Sequence, residues 1–191
     1  MTEEQKYTVE RKFPKFEVRR YQACVFADVT VTASFESAGS LGFRPLIGYI
    51  SGNNEPNKKI AMTSPVIQES KSENSTIKIA MTPPVIQESS NDLQVVSFVM
   101  PAGMTLDDLP LPTNSKVTLR QMPEQLIAAS RFTGRWTKSA YERQLAQFRQ
   151  QLDQNGMTEI SPPRYARFDP PWTPSFLRRN EIQIPIATPT Q

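Results

Sequence analysis

The sequence contains no histidine and a single cysteine, Cys24, among its 191 residues. Without histidine the chain cannot form a Ser-His-Asp or Cys-His catalytic site, or a histidine-ligated zinc site. One cysteine cannot form an internal disulfide, and a reducing, intracellular compartment is the simplest fit to that usage. Because Cys24 lies in the apolar run 23–27, we expect an inert core thiol rather than a nucleophile.

Long apolar runs and runs of like charge are also missing. No stretch approaches the length of a membrane-spanning helix, and the polar segment 1–6 lacks the apolar core of a secretory signal. The net charge is +3 and the pI about 9.1, but the acidic and basic residues are interspersed. Charge alone therefore indicates neither nucleic acid nor membrane binding, and we expect a cytoplasmic protein.

The sequence contains a phrase of eleven residues that occurs twice. Residues 60–70 read IAMTSPVIQES and residues 79–89 read IAMTPPVIQES. The polar segment between the copies favours a turn, so they predict a hairpin or two neighbouring strands. Because proline cannot donate to a strand ladder, each strand should end, bulge or lie at an edge there. Met62 and Met81 fit two interpretations, as core-filling side chains or as the lining of an apolar ligand cleft.

Two helices are predicted. The first follows Ser34 and runs to about Ser51, although its glycines each cost about 1 kcal/mol relative to alanine and Pro45 lies inside it. Tertiary packing must therefore hold this helix, either as a core element or as a wall over a pocket. The second begins with a capping box at Ser139–Glu142 and stops at Asn155–Gly156. The apolar stripe of the first helix consists of Phe35, Ala38, Gly42, Phe43, Leu46, Ile47 and Ile50.

The order of elements repeats once along the chain. Strands, a helix and strands are followed by strands, a helix and strands, and each half has one helix against antiparallel strands. This order predicts an α+β, barrel-like fold with an internal pseudo-two-fold repeat. The predicted strands cover residues 7–12, 16–33, 93–100, 117–120, 125–132, 164–169 and 181–186.

Several motifs are specific in combination: FEVRRY at 16–21, GFRPLIGYI at 42–50, both IAMTxPV phrases, VSFVMP at 96–101, FTGRW at 132–136 and PPWTPSFLRRNE at 170–181. Together they resemble the SOUL heme-binding family, in its bacterial branch. The resemblance implies one domain over residues 7–186, between flexible ends at 1–6 and 187–191. It also implies a distorted antiparallel β-barrel with two helices, similar to the ligand-binding domains of gyrase-inhibitory and multidrug-sensing regulators.

The ligand that the resemblance implies is heme or another tetrapyrrole. One family branch uses a histidine as axial ligand, which this chain lacks, whereas another holds the porphyrin in an apolar cleft beside the first helix. That cleft would be lined here by Phe43, Leu46, Ile47 and Ile50. A buried propionate needs a cation, and the candidate partners are Arg44, Arg178 and Arg179. The candidate iron ligands are Met62, Met81 and Tyr49, for each of which a core role is the simpler interpretation.

Three other functions stay open beside tetrapyrrole binding. A drug-sensor-type module would take planar or cationic ligands around a buried carboxylate, for which Glu181 is the candidate; the preferred alternative is a surface carboxylate paired with Arg178 or Arg179. A partner-binding protein with a vestigial pocket is another possibility. An enzyme is not favoured, because the sequence shows no nucleophile–base pair, phosphate loop or metal cluster. We therefore expect reversible, non-catalytic binding of a tetrapyrrole or another flat apolar molecule, with no nucleic acid partner.

Overall fold

The computed structural model describes residues 3–70, 93–170 and 172–187. These residues contain two helices, α1 (Phe35–Ile50) and α2 (Lys138–Gln154), and short 3-10 turns at Leu106–Asp108 and Ser175–Leu177. Their strands are β1 (Glu3–Glu4), β2 (Tyr7–Lys12), β3 (Glu17–Tyr21), β4 (Cys24–Thr32), β5 (Asn54–Glu55), β6 (Thr63–Ser64), β7 (Val66–Ser70), β8 (Leu93–Val99), β9 (Leu111–Pro112), β10 (Val117–Met122), β11 (Gln125–Phe132), β12 (Arg164–Arg167) and β13 (Asn180–Pro185).

Nine of these strands form one antiparallel sheet in the order β10-β4-β8-β7-β12-β13-β11-β3-β2. If β3 is exchanged with β10, β4 with β11, β7 with β12 and β8 with β13, the first eight strands read in reverse order. The two halves are thus related by a pseudo-two-fold axis between β7 and β12, and β2 is an addition at one edge. The α+β class and the internal repeat are confirmed, and the sheet curls as a half-barrel whose edges are β10 and β2.

Both helices begin at a capped residue. Ser34 accepts a hydrogen bond from the Ser37 N–H, and α1 ends at Ile50, as its sequence predicts. The capping box expected at Ser139 is wrong, because Thr137 is the cap and accepts from the Ala140 N–H. Among the described residues, neither helix combines the length and apolar character that a membrane crossing needs.

The first copy of the repeated phrase contributes two strands. Pro65 separates β6 from β7, as expected for a residue that cannot donate to the ladder. β1 pairs with β6 in parallel, and the Gln5 N–H donates to the Ser64 carbonyl, so residues 3–5 of the N-terminal segment lie along this strand. The second copy, with Met81, lies outside the described residues.

The two faces of the sheet differ in composition because cross-strand partners share a face. One face is apolar and covered by helices: α1 packs on Val29, Val96 and Phe98, and α2 packs on Ile182 and Ile184. The other face carries charged and polar side chains among its apolar ones. One row across it, read from β4 to β11, consists of Asp28, Ser97, Ile67, Ala166, Glu181 and Arg131.

The contact of α1 with the sheet depends on Gly42. A Cβ at this position would lie 2.5 Å from Cβ of Val96, which is completely buried. The position of a Cβ atom is fixed by the backbone, so no change of the Val96 rotamer can relieve this contact. The glycine that weakens the isolated helix is therefore the residue that lets it approach β8.

We expect Gly42→Ala to lower the free energy of unfolding by about 1–3 kcal/mol, because overpacking outweighs the gain in helix propensity. Gly48→Ala in the same helix is the matched control. Its added Cβ would meet only the side-chain amide of the exposed Asn53, at 3.1 Å, so it should be neutral or stabilising. Urea unfolding of both variants measures the difference. Equal effects would contradict the close approach at Gly42.

Candidate ligand-binding site

The residues expected to form the cleft beside α1 differ in burial, two lying in the core and two at its border with solvent. Leu46 and Ile50 are 0% and 4% exposed and lie in the core beneath the helix. Phe43 is 37% exposed, and its ring packs edge-on against Phe98 at 5.3 Å between centroids. Ile47 is half-buried on the same core cluster. The outer residues alone can therefore touch a ligand, with the inner pair as their support.

Met62 packs on the same core cluster as Ile47. It is half-buried and packs on the cluster that contains Leu46 and Phe98. We call Phe43, Ile47 and Met62 together the α1 flank; Arg44 is exposed beside them on the helix. The sequence thus places an apolar strip with a neighbouring cation on the outside of α1.

Tyr49 does not belong to this strip. It is 1% exposed, and its hydroxyl donates to the Pro110 carbonyl at 2.9 Å. Burial raises the pKa of this phenol to about 12, so the phenolate that ligates iron is disfavoured. Tyr49 is a core residue. Within the described parts of the chain, no three histidine, cysteine, aspartate or glutamate side chains are grouped to hold a metal ion.

At the N-terminal end of α1 the same side of the helix meets a buried arginine. Gly39 precedes Phe43 by one turn, and a Cβ on it would collide with Nη1 of Arg167. Arg167 is 8% exposed and lies between the rings of Phe35 and Trp136, at 5.6 and 5.1 Å from their centroids. Its Nη2 donates to Oε1 of Gln68 at 2.7 Å. Sequence analysis gave no reason to single out Arg167.

Arg178 lies in this region too. Its guanidinium carbon is 4.3 Å from the Trp136 ring centroid, and its Nε donates to the Thr173 carbonyl at 2.7 Å. Trp136 therefore contacts both Arg178 and Arg167. By the rise of an α-helix, Gly39 and Ile47 are about 12 Å apart along the axis. The cationic end and the apolar strip thus lie within one ligand length of each other on the helix-covered face.

Arg179 lies on the opposite face of the sheet. Its Nη2 pairs with Oε1 of Glu181 at 3.1 Å, and its Nη1 pairs with Glu4 at 3.0 Å. Glu181 shares its face with Ala166, Ile67 and Ser97, whereas α1 packs on the other face. The structure consequently does not bring Arg179 together with Phe43 and Ile47.

Glu181 is completely buried, so its expected position at the surface is wrong, although its pairing with Arg179 is observed. Its strand, β13, lies between β12 and β11. Arg19 of β3 and Glu4 of the N-terminal segment line the same groove as Glu181. Arg19 Nη1 lies 2.8 Å from Oε2 of Glu181, and Arg19 Nε lies 2.9 Å from Glu17. Burial alone would lower the pKa of Arg19, but the charge and hydrogen bond of Glu181 raise it above its ordinary value.

These ion pairs line a groove of about 770 Å³. Its walls include four arginine or lysine and three glutamate side chains beside Tyr7 and Phe13, so the ionic groups largely compensate one another. We call it the ionic groove. The charged residues are Glu4, Lys15, Glu17, Arg19, Arg131, Arg179 and Glu181, one cation more than the three carboxylates.

Replacing Glu181 by Gln should lower the free energy of unfolding by about 3–5 kcal/mol, because Arg19 and Arg179 would lose a buried counter-charge. The matched control is Glu10→Gln, which removes an ion pair with Arg20 whose side chains are 38% and 39% exposed. That pair should contribute less than about 1 kcal/mol. Chemical unfolding of both variants is the measurement, and a loss as small as the control's would contradict a buried network.

Comparison with known proteins agrees with the fold and places the chain in a family. Heme-binding protein 1 of Xenopus laevis is 27% identical over 169 residues, which cover 87% of this chain and 81% of that protein. The EcmrR C-terminal domain matches with a TM-score of 0.62 at 13% identity, over 95% of this chain and 98% of that one. A hydrolase from Listeria innocua matches with a TM-score of 0.57 at 12% identity, over 92% and 94%.

At such low identities, the solved structures show a shared fold alone. The sequence family is more specific, since the model described as SOUL heme-binding protein matches residues 2–185. The chain therefore belongs to the SOUL heme-binding protein family.

Proposed function

We propose that this protein binds heme or a related tetrapyrrole reversibly on the α1 flank, without a histidine ligand and without catalysis. Family membership and the similarity to heme-binding protein 1 support the ligand class. The observation that carries the location is the partial exposure of Phe43, at 37%, while its ring packs edge-on against Phe98 of the core. A flat apolar ligand would remove this ring from water together with Ile47 and Met62.

The arrangement of residues fits an amphiphilic, planar ligand. The macrocycle would lie along Phe43 and Ile47, with Leu46 and Ile50 holding the helix against the core behind them. Arg44 on the helix and Arg178 beyond Gly39 supply positive charge for propionates. Met62 is the iron ligand that this position offers among the described residues, and a thioether binds iron weakly. Weak ligation suits reversible exchange of the ligand.

A second candidate function is binding of a planar or cationic small molecule in the ionic groove. Its volume of about 770 Å³ is large enough for a drug-sized ligand, and the buried Glu181 lies in its wall. However, Arg19 and Arg179 already neutralise that carboxylate, so a ligand cation would have to displace one of them. The apolar α1 flank therefore accounts better for tetrapyrrole binding.

A hemin titration followed by Soret absorbance tests the proposal. We expect saturable one-to-one binding, weakened roughly 10- to 100-fold by Phe43→Ala and somewhat less by Ile47→Ala, because each removes apolar contact with the macrocycle. Ile160→Ala is the matched control, since Ile160 is 63% exposed and lies in the segment between α2 and β12.

Three results would contradict parts of this proposal. The absence of a saturable shift would remove heme as the ligand. Unchanged affinity in both flank variants, combined with weakened binding in Arg19→Gln, would move the site to the ionic groove. A cationic dye that binds more tightly than hemin, and loses affinity in Glu181→Gln, would favour the second candidate function.

A further inference from the structure

Arg167 is a buried cation without an anionic partner. It is 8% exposed, and among residues 3–70, 93–170 and 172–187 no carboxylate forms an ion pair with it. The other buried arginines of the sheet differ in this respect, since Arg19 pairs with Glu181 and Arg164 with Glu69, each at 2.8 Å. The exposed carboxylate of Glu36 attracts Arg167 electrostatically without forming an ion pair, so the buried charge is only partly compensated. A partly compensated buried charge is costly and points to a counter-ion that binds from outside.

Two buried polar atoms at this position have unused hydrogen-bonding capacity. Within the part of the chain that the structure describes, Nε of Arg167 has no hydrogen-bond partner, and neither has the hydroxyl of Tyr141. The Tyr141 hydroxyl interacts electrostatically with the guanidinium without normal hydrogen-bond geometry. Both groups can donate to one oxyanion, because arginine and phenol N–H and O–H groups are donors.

The backbone adds positive potential at the same place. Oε1 of Glu36, in the first turn of α1, accepts from the Lys138 N–H at 2.8 Å, so the N-termini of α1 and α2 lie side by side. The positive ends of two helix dipoles therefore converge beside Arg167. The hydrogen bond from Lys138 lowers the pKa of Glu36, as expected for a carboxylate at such a position. Glu36 is exposed, whereas Arg167 is buried.

Access is available from solvent. Trp136, whose ring contacts the guanidinium of Arg167, and Arg178, which contacts the same ring, are both only half-buried. Phe35 and Tyr141 also line an adjoining groove of about 380 Å³. Gly39 lies one helical turn before Phe43, and because it has no Cβ, the guanidinium of Arg167 packs directly against the helix backbone there. A ligand on the α1 flank would have to extend by this one turn to reach Arg167.

We propose that Arg167 and Tyr141 form a seat for a single carboxylate, and that a tetrapyrrole propionate is the carboxylate that fills it. The identity of the ligand rests on the function proposed above, whereas the seat itself rests on Arg167. A free small carboxylate would have the same chemistry, so the two sources must be separated by experiment. The seat makes the site selective for tetrapyrroles that carry free acid groups.

The first measurement compares hemin with its dimethyl ester, which keeps the macrocycle and iron but lacks both charges. We expect the ester to bind the unaltered protein roughly 10- to 100-fold more weakly, the range of a charge-assisted hydrogen-bonded pair. In Arg167→Met this difference should disappear. Arg143→Met, which changes an exposed arginine of α2, should retain it. Tyr141→Phe should reduce the difference several-fold, and it keeps the test available if Arg167→Met does not fold.

The second measurement is thermal unfolding in sodium propionate against sodium chloride at equal ionic strength. Propionate should raise the midpoint of the unaltered protein and of Arg143→Met, but not that of Arg167→Met. In chloride alone, Arg167→Met should be at least as stable as the unaltered protein, because it removes a buried charge that has no ion-pair partner among the described residues.

The outcomes separate the seat from the proposed function. An ester that binds as tightly as hemin, together with equal midpoints in propionate and chloride, would overturn the seat and leave tetrapyrrole binding intact. A propionate effect that depends on Arg167, in a protein that shows no saturable hemin binding, would support the seat and overturn the proposed function.

Discussion

The antiparallel pairing of β7 with β12 joins the two halves of the sheet, and its register determines what lies on each face. Arg164 is opposite Glu69, and Arg167, three residues later in β12, is opposite Val66, three residues earlier in β7. Side chains alternate along a strand, so these two arginines point to opposite faces. A shift of one residue would exchange the faces and bury unpaired charges under the helices. The ion pair of Arg164 with Glu69, at 2.8 Å, holds the register that is observed.

This register separates two kinds of binding surface. On the helix-covered face, apolar packing places Phe43, Ile47 and Met62 at the border between core and solvent. On the opposite face, carboxylates and guanidinium groups pair with one another around Glu181. A flat apolar ligand gains most from the first surface, because binding there removes hydrocarbon from water without breaking an ion pair. The two candidate functions therefore correspond to the two faces of one sheet.

Local sequence signals predicted much of the fold. The first helix was predicted from Ser34 to about Ser51, close to the observed limits of α1. The strand 125–132 was predicted with the bounds observed, because alternation and proline positions are local properties. The cap of α2 was predicted two residues late. Ser139–Glu142 fits the capping pattern, but Thr137 caps the helix while Glu36, from the other half of the chain, accepts from its first amide.

The candidate site was predictable only in part, since it depends on contacts between distant residues. Adjacent arginines in the FEVRRY motif show why. Arg19 is buried against Glu181, 162 positions away, whereas Arg20 pairs at the surface with Glu10 and Glu124. Alternation predicts that the two face opposite ways, but not which face is covered. For the same reason the sequence indicated Arg178 and Arg179 equally and did not indicate Arg167.

Binding of a tetrapyrrole on the α1 flank is tested most directly by the paramagnetic effect of ferric heme on amide resonances of the isotopically labelled protein. Gallium protoporphyrin, which is diamagnetic, serves as the reference. If the ligand lies on the α1 flank, broadening will be strongest for residues 39–47 and 62–66 and weak for Arg19 and Glu181. Broadening centred on Arg19, Arg179 and Glu181, with residues 39–47 unaffected, would contradict it and assign the ligand to the ionic groove.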